Sequence, residues 1–305
     1  MELLYMFERL RTPLGDAFFS LITHLGEETL FIVFGLLIFW CLDKWEGYYL
    51  LSVGLSGTVI NQFLKLWFRI PRPWVRDPNF TVVESALAQA GGYSFPSGHT
   101  QNAVAVFGGV VRWGGHKALR AVCAALCVLV PLSRLYLGVH TPADVGVSAV
   151  IALALVFGLY PVVRKAAGRP GALRPVLAAM ALLAAGFLAF VSLYPFPADT
   201  DAVNLAFGVK NAHVMLGCML GLWLSYEADL RTGFDTRAPL AGQALKLGLG
   251  LVLLLAIKSA GKAVLYPLLG AGGFADGLRY FLMVVFAGCL WPRTFPFWSR
   301  VGKKR

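Results

Sequence analysis

Three polar clusters stand out within residues 65–144 of an otherwise apolar 305-residue chain. They are Lys65-Leu-Trp-Phe-Arg69-Ile-Pro-Arg72-Pro73, Pro96-Ser97-Gly98-His99, and Ser133-Arg134-Leu-Tyr-Leu-Gly-Val-His140-Thr-Pro-Ala-Asp144. Together they supply cations at Lys65, Arg72 and Arg134, imidazoles at His99 and His140, and a carboxylate at Asp144, a set suited to holding a phosphate group. Ser97-Gly98 at a helix start would offer free backbone N–H groups and the positive dipole end to an anion, with Gly98 permitting close backbone approach. His140 and Asp144, four residues apart around a helix start, let the carboxylate hold one imidazole nitrogen and leave the other as a nucleophile. His99 is then the acid that protonates a leaving oxygen and the base that later activates water. Fixed Lys, Arg and backbone donors would stabilise charge spread over the equatorial oxygens of phosphorus. This chemistry requires no metal, no carboxylate cluster is present to hold one, and no cofactor is expected.

The elements that position these groups are membrane helices. With 58% hydrophobic and 14% charged residues and a mean hydropathy of +0.68, the chain departs from soluble composition toward the membrane class. The reading is an all-α, polytopic transmembrane helix bundle of about nine spans, near 17–42, 47–68, 98–112, 121–138, 142–163, 175–194, 208–226, 247–268 and 278–292. Pro71 and Pro73 end the second span, a polar loop covers 74–95, and Thr141-Pro142 starts the fifth. Lys65 and Arg72 fall in line only if the second helix persists past residue 68, and Arg69 is set to meet lipid headgroups. His24, Glu27 and Glu28 near the start of the first span are too many polar groups for lipid contact and either face a cavity or lie at the interface. Met1 to Arg11 lacks the features of a secretory signal, so the N-terminus reads as retained. The five cysteines lie in or beside apolar spans and imply neither a disulfide framework nor a metal site. The net charge of +11 sits in loops between spans, which points to membrane orientation and gives nucleic acid no weight.

Spans two and three share one loop and spans four and five another, so all three clusters reach one membrane face. Of the 27 basic residues, 16 fall on the side that carries the C-terminus and 11 on the side of the clusters, while the acidic residues divide as 5 and 11. The positive-inside rule then predicts a cytoplasmic C-terminus and an extracytoplasmic site. A lone Arg or Lys at a span end usually snorkels to headgroups, and a lone interfacial His is usually just solvated. The joint spacing of the clusters is what lifts them above that reading.

The motifs Lys-x6-Arg-Pro, Pro-Ser-Gly-His and Ser-Arg-x5-His-x3-Asp resemble the signature of the type 2 phosphatidic acid phosphatase superfamily. The resemblance covers residues 65–144. It implies a phosphohistidine mechanism with His140, His99 and Asp144 catalytic and Lys65, Arg72, Ser97, Gly98 and Arg134 binding phosphate. Six-span members place two spans ahead of the first motif's helix and one after the last. Here one precedes and about four follow, a layout similar to that of glucose-6-phosphatase and the extended sphingosine phosphate phosphatases. The expected organisation is a catalytic membrane core over 1–195 and additional C-terminal helices over 196–305. Lys258 and Lys262 on the eighth span and Arg279 on the ninth are candidate substrate-binding cations expected to face the bundle or the site, against a structural pairing with Asp276 or with Glu27 and Glu28. The expected function is metal-independent hydrolysis of a lipid phosphate or diphosphate, such as undecaprenyl diphosphate, phosphatidic acid or phosphatidylglycerophosphate, in a bacterial plasma membrane. The alternatives are a phosphatase of soluble sugar phosphates and a non-catalytic lipid transporter or scaffold. The expected partners are a lipid phosphate substrate and bilayer lipids, with the oligomeric state left open.

Overall fold

The computed structural model describes residues 1–302, apart from the Gln89 side chain; Lys303, Lys304 and Arg305, part of the C-terminal charge count, lie outside the described residues. Among the described residues the regular elements are all helical. In order they are α1 (Glu2–Arg9), α2 (Pro13–Thr23), α3 (Glu28–Leu37), α4 (Lys44–Phe68), α5 (Pro73–Arg76), α6 (Gly98–Trp113), α7 (Lys117–Tyr136), α8 (Pro142–Ala166), α9 (Arg174–Leu193), α10 (Ala202–Thr232), α11 (Leu240–Leu269), α12 (Gly273–Val285) and α13 (Phe295–Trp298). Short 3-10 turns cover His24–Gly26, Glu84–Gln89 and Trp291–Thr294, and π-helical turns finish α3 and α12.

Helix starts follow local chemistry. Thr12 Oγ1 accepts from Gly15 N ahead of Pro13, Asp43 Oδ1 accepts from Trp45 N and Glu46 N, and Ser97 Oγ accepts from Thr100 N. Each satisfies a backbone donor that a helix start leaves without an intrahelical partner. Thr141 and Asp144 form a reciprocal cap at α8: Asp144 N donates to Thr141 Oγ1 at 3.3 Å, and Thr141 N donates back to Asp144 Oδ2 at 2.7 Å.

A helix lies at each of the nine expected positions, but the first is broken. α2 and α3 meet at a 53° bend across His24–Gly26. Among the described residues six helices, or seven segments if that bent pair counts as one, are long and apolar enough to cross a membrane. The chain is therefore a multi-pass membrane protein whose count by this measure falls short of nine. α6, with 16 residues, is only about 24 Å long. α4 carries Lys44, Glu46, Asn61 and Lys65 along its length. Lys65 and Arg72 are also not on one helix, because α4 stops at Phe68 and Arg72 reaches the site from the loop before α5. Arg69 folds back to donate to Leu66 O at 2.9 Å.

The chain divides into two compact units: Met1–Ile32, Ile60–Tyr160 and Phe196–Phe207 form the first, and Val33–Val59, Pro161–Pro195 and Gly208–Arg305 the second. In the first, α6, α2 and α1 all pack against α7. Tyr136 at the end of α7 meets the rings of Phe7 and Phe19. Gly138 follows with φ of 80°, and a Cβ there would stand 2.5 Å from Arg11 Nη2; only glycine suits that left-handed, crowded turn. Arg11 ties it down by donating to Tyr136 O at 3.0 Å and Thr81 O at 2.9 Å.

In the second unit, Trp40 Nε1 donates to Ala287 O at 2.8 Å, Lys44 pairs with Asp229 at 2.8 Å, and Arg164 with Glu46 at 3.1 Å. α10 and α12 approach backbone to backbone at Gly217 and Gly277, where a Cβ on Gly217 would fall on Gly277 O. Such small-residue contacts are how membrane helices come close enough for dispersion to hold them. Gly217→Val is expected to destabilise the protein by about 1–3 kcal/mol through overpacking, whereas Gly186→Ala, whose Cβ meets no atom within 4 Å, is expected to have little effect. Thermal unfolding of the purified variants in detergent checks this.

Candidate active site

All eight residues assigned to catalysis and phosphate binding belong to the first unit. Lys65, Arg72, Arg134, His140 and Asp144 are buried, none more than 8% exposed. Asp144 Oδ2 is the common acceptor. It takes the Ser94 hydroxyl at 2.6 Å and Thr141 N at 2.7 Å, and faces His140 Nδ1 at 3.4 Å. The main-chain carbonyl of Asp144 accepts from Ser97 N at 3.1 Å and from the Ser148 hydroxyl at 2.9 Å. The start of α6 is thereby fastened to the start of α8.

The other nitrogen of His140 is matched by Arg72, whose Nη1 lies 2.8 Å from Nε2. The same Nη1 lies 3.5 Å from Nδ1, so this contact does not choose the tautomer; the carboxylate of Asp144 facing Nδ1, which can only accept, does. The ring proton then belongs on Nδ1, toward Asp144. Burial, followed by Arg72, Arg134, Lys65 and His99, holds the His140 pKa well below the usual histidine range. The imidazole is neutral, with the lone pair on Nε2. Arg72 itself is lowered to about 10 by burial, with Asp144 acting in the opposite direction, and remains charged at neutral pH.

The cations are engaged as well as gathered. Arg72 donates to Gly92 O, Gly91 O and Val139 O at 2.7 to 3.0 Å, and Lys65 Nζ to Tyr93 O at 2.5 Å. Three consecutive carbonyls thus lie on the two cations of the first motif. Arg134 donates one Nη1 bond to Thr23 Oγ1 at 2.6 Å, while its Nε and Nη2 are buried and make no hydrogen bond. His99 Nε2 is enclosed and likewise unbonded. At the start of α6, Ser97 N is committed to Asp144 O, which corrects the expectation of a free N–H there. Gly98 and His99 keep the first-turn donors that no intrahelical carbonyl can reach. A Cβ on Gly98 would meet no atom within 4 Å, so packing does not require the glycine and the space beside the helix start is open to an anion.

Sequence reasoning missed Ser94, Thr23 and the carbonyls of Gly91 to Tyr93. Thr23, beside His24 in an apolar run, carried a faint signal as an isolated polar residue, and the Thr141-x-x-Asp144 cap was legible as a capping box. Ser94 and the carbonyls carried none. His24, Glu27 and Glu28 sit at the break between α2 and α3, where His24 Nδ1 lies 2.6 Å from Glu27 Oε1. A Cβ on Gly26 would stand 2.8 Å from His99 O, so the break lies directly against the second motif. Among the described residues no group of three or more His, Cys, Asp or Glu could hold a metal ion. Lys258 and Lys262, expected to face the bundle or the site, are exposed along α11, and Arg279 is buried against Asp276 at 2.5 Å; these three belong to the second unit.

The PAP2 superfamily family model matches residues 45–167, and that of the PAP2 superfamily phosphatase transmembrane extension matches 213–300. Phosphatidylglycerophosphatase B of Bacillus subtilis (strain 168) is 31% identical over 149 residues, 45% of this chain and 69% of that protein. Undecaprenyl-diphosphatase BcrC of the same organism is 31% identical over 104 residues, 34% of this chain and 51% of that protein. Sphingosine-1-phosphate phosphatase 1 of Rattus norvegicus is 27% identical over 148 residues, 46% of this chain and 33% of that protein. The chain thus spans about two thirds, one half and one third of these relatives. No solved structure matches it.

Ser94→Ala removes a buried hydrogen bond to a carboxylate and is expected to cost about 1.5–3 kcal/mol of stability. Ser85→Ala, which removes an exposed bond to Ser20, is expected to be near neutral. Thermal unfolding of both variants checks the difference.

Proposed function

Because the chain belongs to the PAP2 superfamily, we propose that it is a membrane phosphatase that hydrolyses a lipid phosphate or diphosphate through a phosphohistidine at His140. The observation that carries this reading is the contact of Asp144 Oδ2 with Nδ1 of buried His140 at 3.4 Å, which assigns the ring proton to Nδ1 and leaves Nε2 with a lone pair. In the first step Nε2 attacks phosphorus, the bond from phosphorus to the leaving oxygen breaks, and His99 delivers a proton to that oxygen. The imidazolium of the phosphorylated ring keeps its Nδ1 proton facing Asp144. In the second step His99 takes a proton from water, the water oxygen bonds to phosphorus, and the P–N electron pair returns to Nε2 with release of inorganic phosphate.

Arg134 Nε and Nη2, the first-turn donors of α6, Lys65 and Arg72 bind the phosphoryl oxygens and the charge that grows on them. Arg72 Nη1, 2.8 Å from Nε2, is placed to donate to a phosphoryl oxygen as phosphorus takes the lone pair. The carbonyls of Gly91, Gly92 and Tyr93 give up donors of Lys65 and Arg72 to those oxygens. None of these steps routes through a metal.

A lipid substrate is favoured because the chain is apolar and multi-pass and the relatives are named as lipid phosphatases. Phosphatidylglycerophosphate, undecaprenyl diphosphate and phosphatidic acid are the first substrates to try. The distribution of basic residues supports an extracytoplasmic site and a cytoplasmic C-terminus in a bacterial plasma membrane. In this reading residues 1–195 carry the catalytic core and 196–305 the additional helices, with Lys258, Lys262 and Arg279 as candidate contacts to an anionic group.

Phosphate release by the purified protein from a panel of lipid phosphates, lipid diphosphates and sugar phosphates tests the proposal. Release from a lipid member is expected, with His140→Ala lower by on the order of 10³-fold or more and His99→Ala lower by about 10²–10⁴-fold. Acid-labile, base-stable label from a 32P-lipid should appear on His140 in the wild type. Release from sugar phosphates alone would reject the lipid reading, and no release from any member would reject the enzyme.

A further inference from the structure

The second unit contains a charge imbalance that the catalytic reading does not use. From Leu240 to Trp298, covering α11 to α13, the one acidic residue is Asp276. Around it stand cations from three helices. Arg279 Nη2 pairs with Asp276 Oδ1 at 2.5 Å, and Lys210 on α10 reaches Asp276 Oδ2 at 3.7 Å. The Tyr266 hydroxyl donates to the same carboxylate at 3.0 Å. The Tyr266 ring is shared by Lys262, 5.5 Å from its centroid, and by Arg279 at 6.0 Å.

Lys258 joins this group through helix geometry. It precedes Gly261 by three residues and Lys262 by four, so the three line one face of α11. On that face a Cβ at Gly261 would stand 3.0 Å from Arg279 Cγ, which places the Arg279 stem beside the two lysines.

Two cations therefore pair with the carboxylate, and two more lie on the neighbouring face of α11. Arg279 is 6% exposed, yet its buried Nε makes no hydrogen bond. Lys258 and Lys262 are exposed within a helix that is apolar on either side of them, from Leu249 to Ile257 and from Ala263 to Leu265. An exposed ammonium in such a stretch is stabilised by an anion delivered from the bilayer. Asp276 holds Arg279 and Lys210 in place and leaves the positive excess for something else.

We infer that Lys258, Lys262, Arg279 and Lys210 form a second anion site in the second unit, one that takes the phosphate group of an anionic phospholipid lying against α11. This inference is independent of the chemistry at His140. It assigns the C-terminal extension a lipid-binding role of its own. Its ligand is a phosphate anion, which a phospholipid headgroup or free phosphate could supply.

The test uses the full-length His140→Ala protein in detergent, so that no added phosphate ester is turned over. Thermal unfolding is followed with added phosphatidylglycerol, with phosphatidylcholine, and with inorganic phosphate. Phosphatidylglycerol is expected to raise the melting temperature by several degrees over phosphatidylcholine. Lys258→Met with Lys262→Met in the same background is expected to lose that difference while melting alike in phosphatidylcholine. The double Arg substitution at these positions is expected to restore it. An equal shift from inorganic phosphate, lost in the same double Met variant, would support the site and assign it to free phosphate. Equal shifts from both lipids, or a folded double Met variant that keeps the full phosphatidylglycerol shift, would overturn the proposal.

Discussion

One carboxylate oxygen, Asp144 Oδ2, joins the parts of the candidate site in the first unit. Ser94 reaches it from the loop ahead of α6, and Thr141 N reaches it through the helix cap. It faces His140 Nδ1 at 3.4 Å. The capping geometry that starts α8 is therefore also what aims the carboxylate at the imidazole. Because the main-chain carbonyl of the same residue accepts from Ser97 N, the second motif cannot shift relative to the third without breaking that link. The orientation and tautomer of His140 are a consequence of how two helices begin, which places the imidazole on a rigid support.

That support sits in an electrostatically uneven place. Lys65, Arg72 and Arg134 are buried with Asp144 as the buried carboxylate among them. Buried cations need acceptors or they lose more by desolvation than packing returns. Most of those acceptors are main-chain carbonyls, from Gly91, Gly92, Tyr93 and Val139, with Thr23 serving Arg134. Carbonyl dipoles satisfy donors without cancelling charge, so the unit keeps a positive potential that a phosphate dianion would relieve. The same potential disfavours a protonated His140 and keeps a lone pair on its ring.

The helix positions and the three motifs were legible in the sequence because both depend on local pattern. Apolar runs bounded by Pro, Gly and basic turns mark the helices, and Arg134, His140 and Asp144 are spaced by a helix end and a helix start. What was not legible depends on contacts across the chain. Nothing near Ser94 announces that its hydroxyl will meet a carboxylate fifty residues later. Lys65 and Arg72, seven apart, would fall in line only on a helix that persisted past residue 68; α4 ends there, and the two cations come together through the carbonyls of a loop. Lys258 and Lys262 suggested inward-facing charge from their position in an apolar run, whereas their side chains are exposed and the inward cation is Arg279. Composition can locate charge along a helix but not choose its face when apolar residues surround it on every side.

The break in the first span shows how such long-range needs reshape a helix. A membrane helix keeps its backbone groups paired, and interruption is tolerated where protein surrounds the freed groups. At His24–Gly26 this condition holds: Glu27 N donates to His24 O, and Asn102 Nδ2 on α6 donates to the freed Gly26 O at 3.2 Å. The bend ends α2 at Thr23, whose hydroxyl is the acceptor for buried Arg134, and brings Gly26 against the His99 backbone where no larger residue fits. The polar residues His24, Glu27 and Glu28, expected at a cavity or at the interface, mark the point where a spanning helix is interrupted to support a buried arginine. The first helical pair thus belongs to the structure that supports Arg134 and the start of α6.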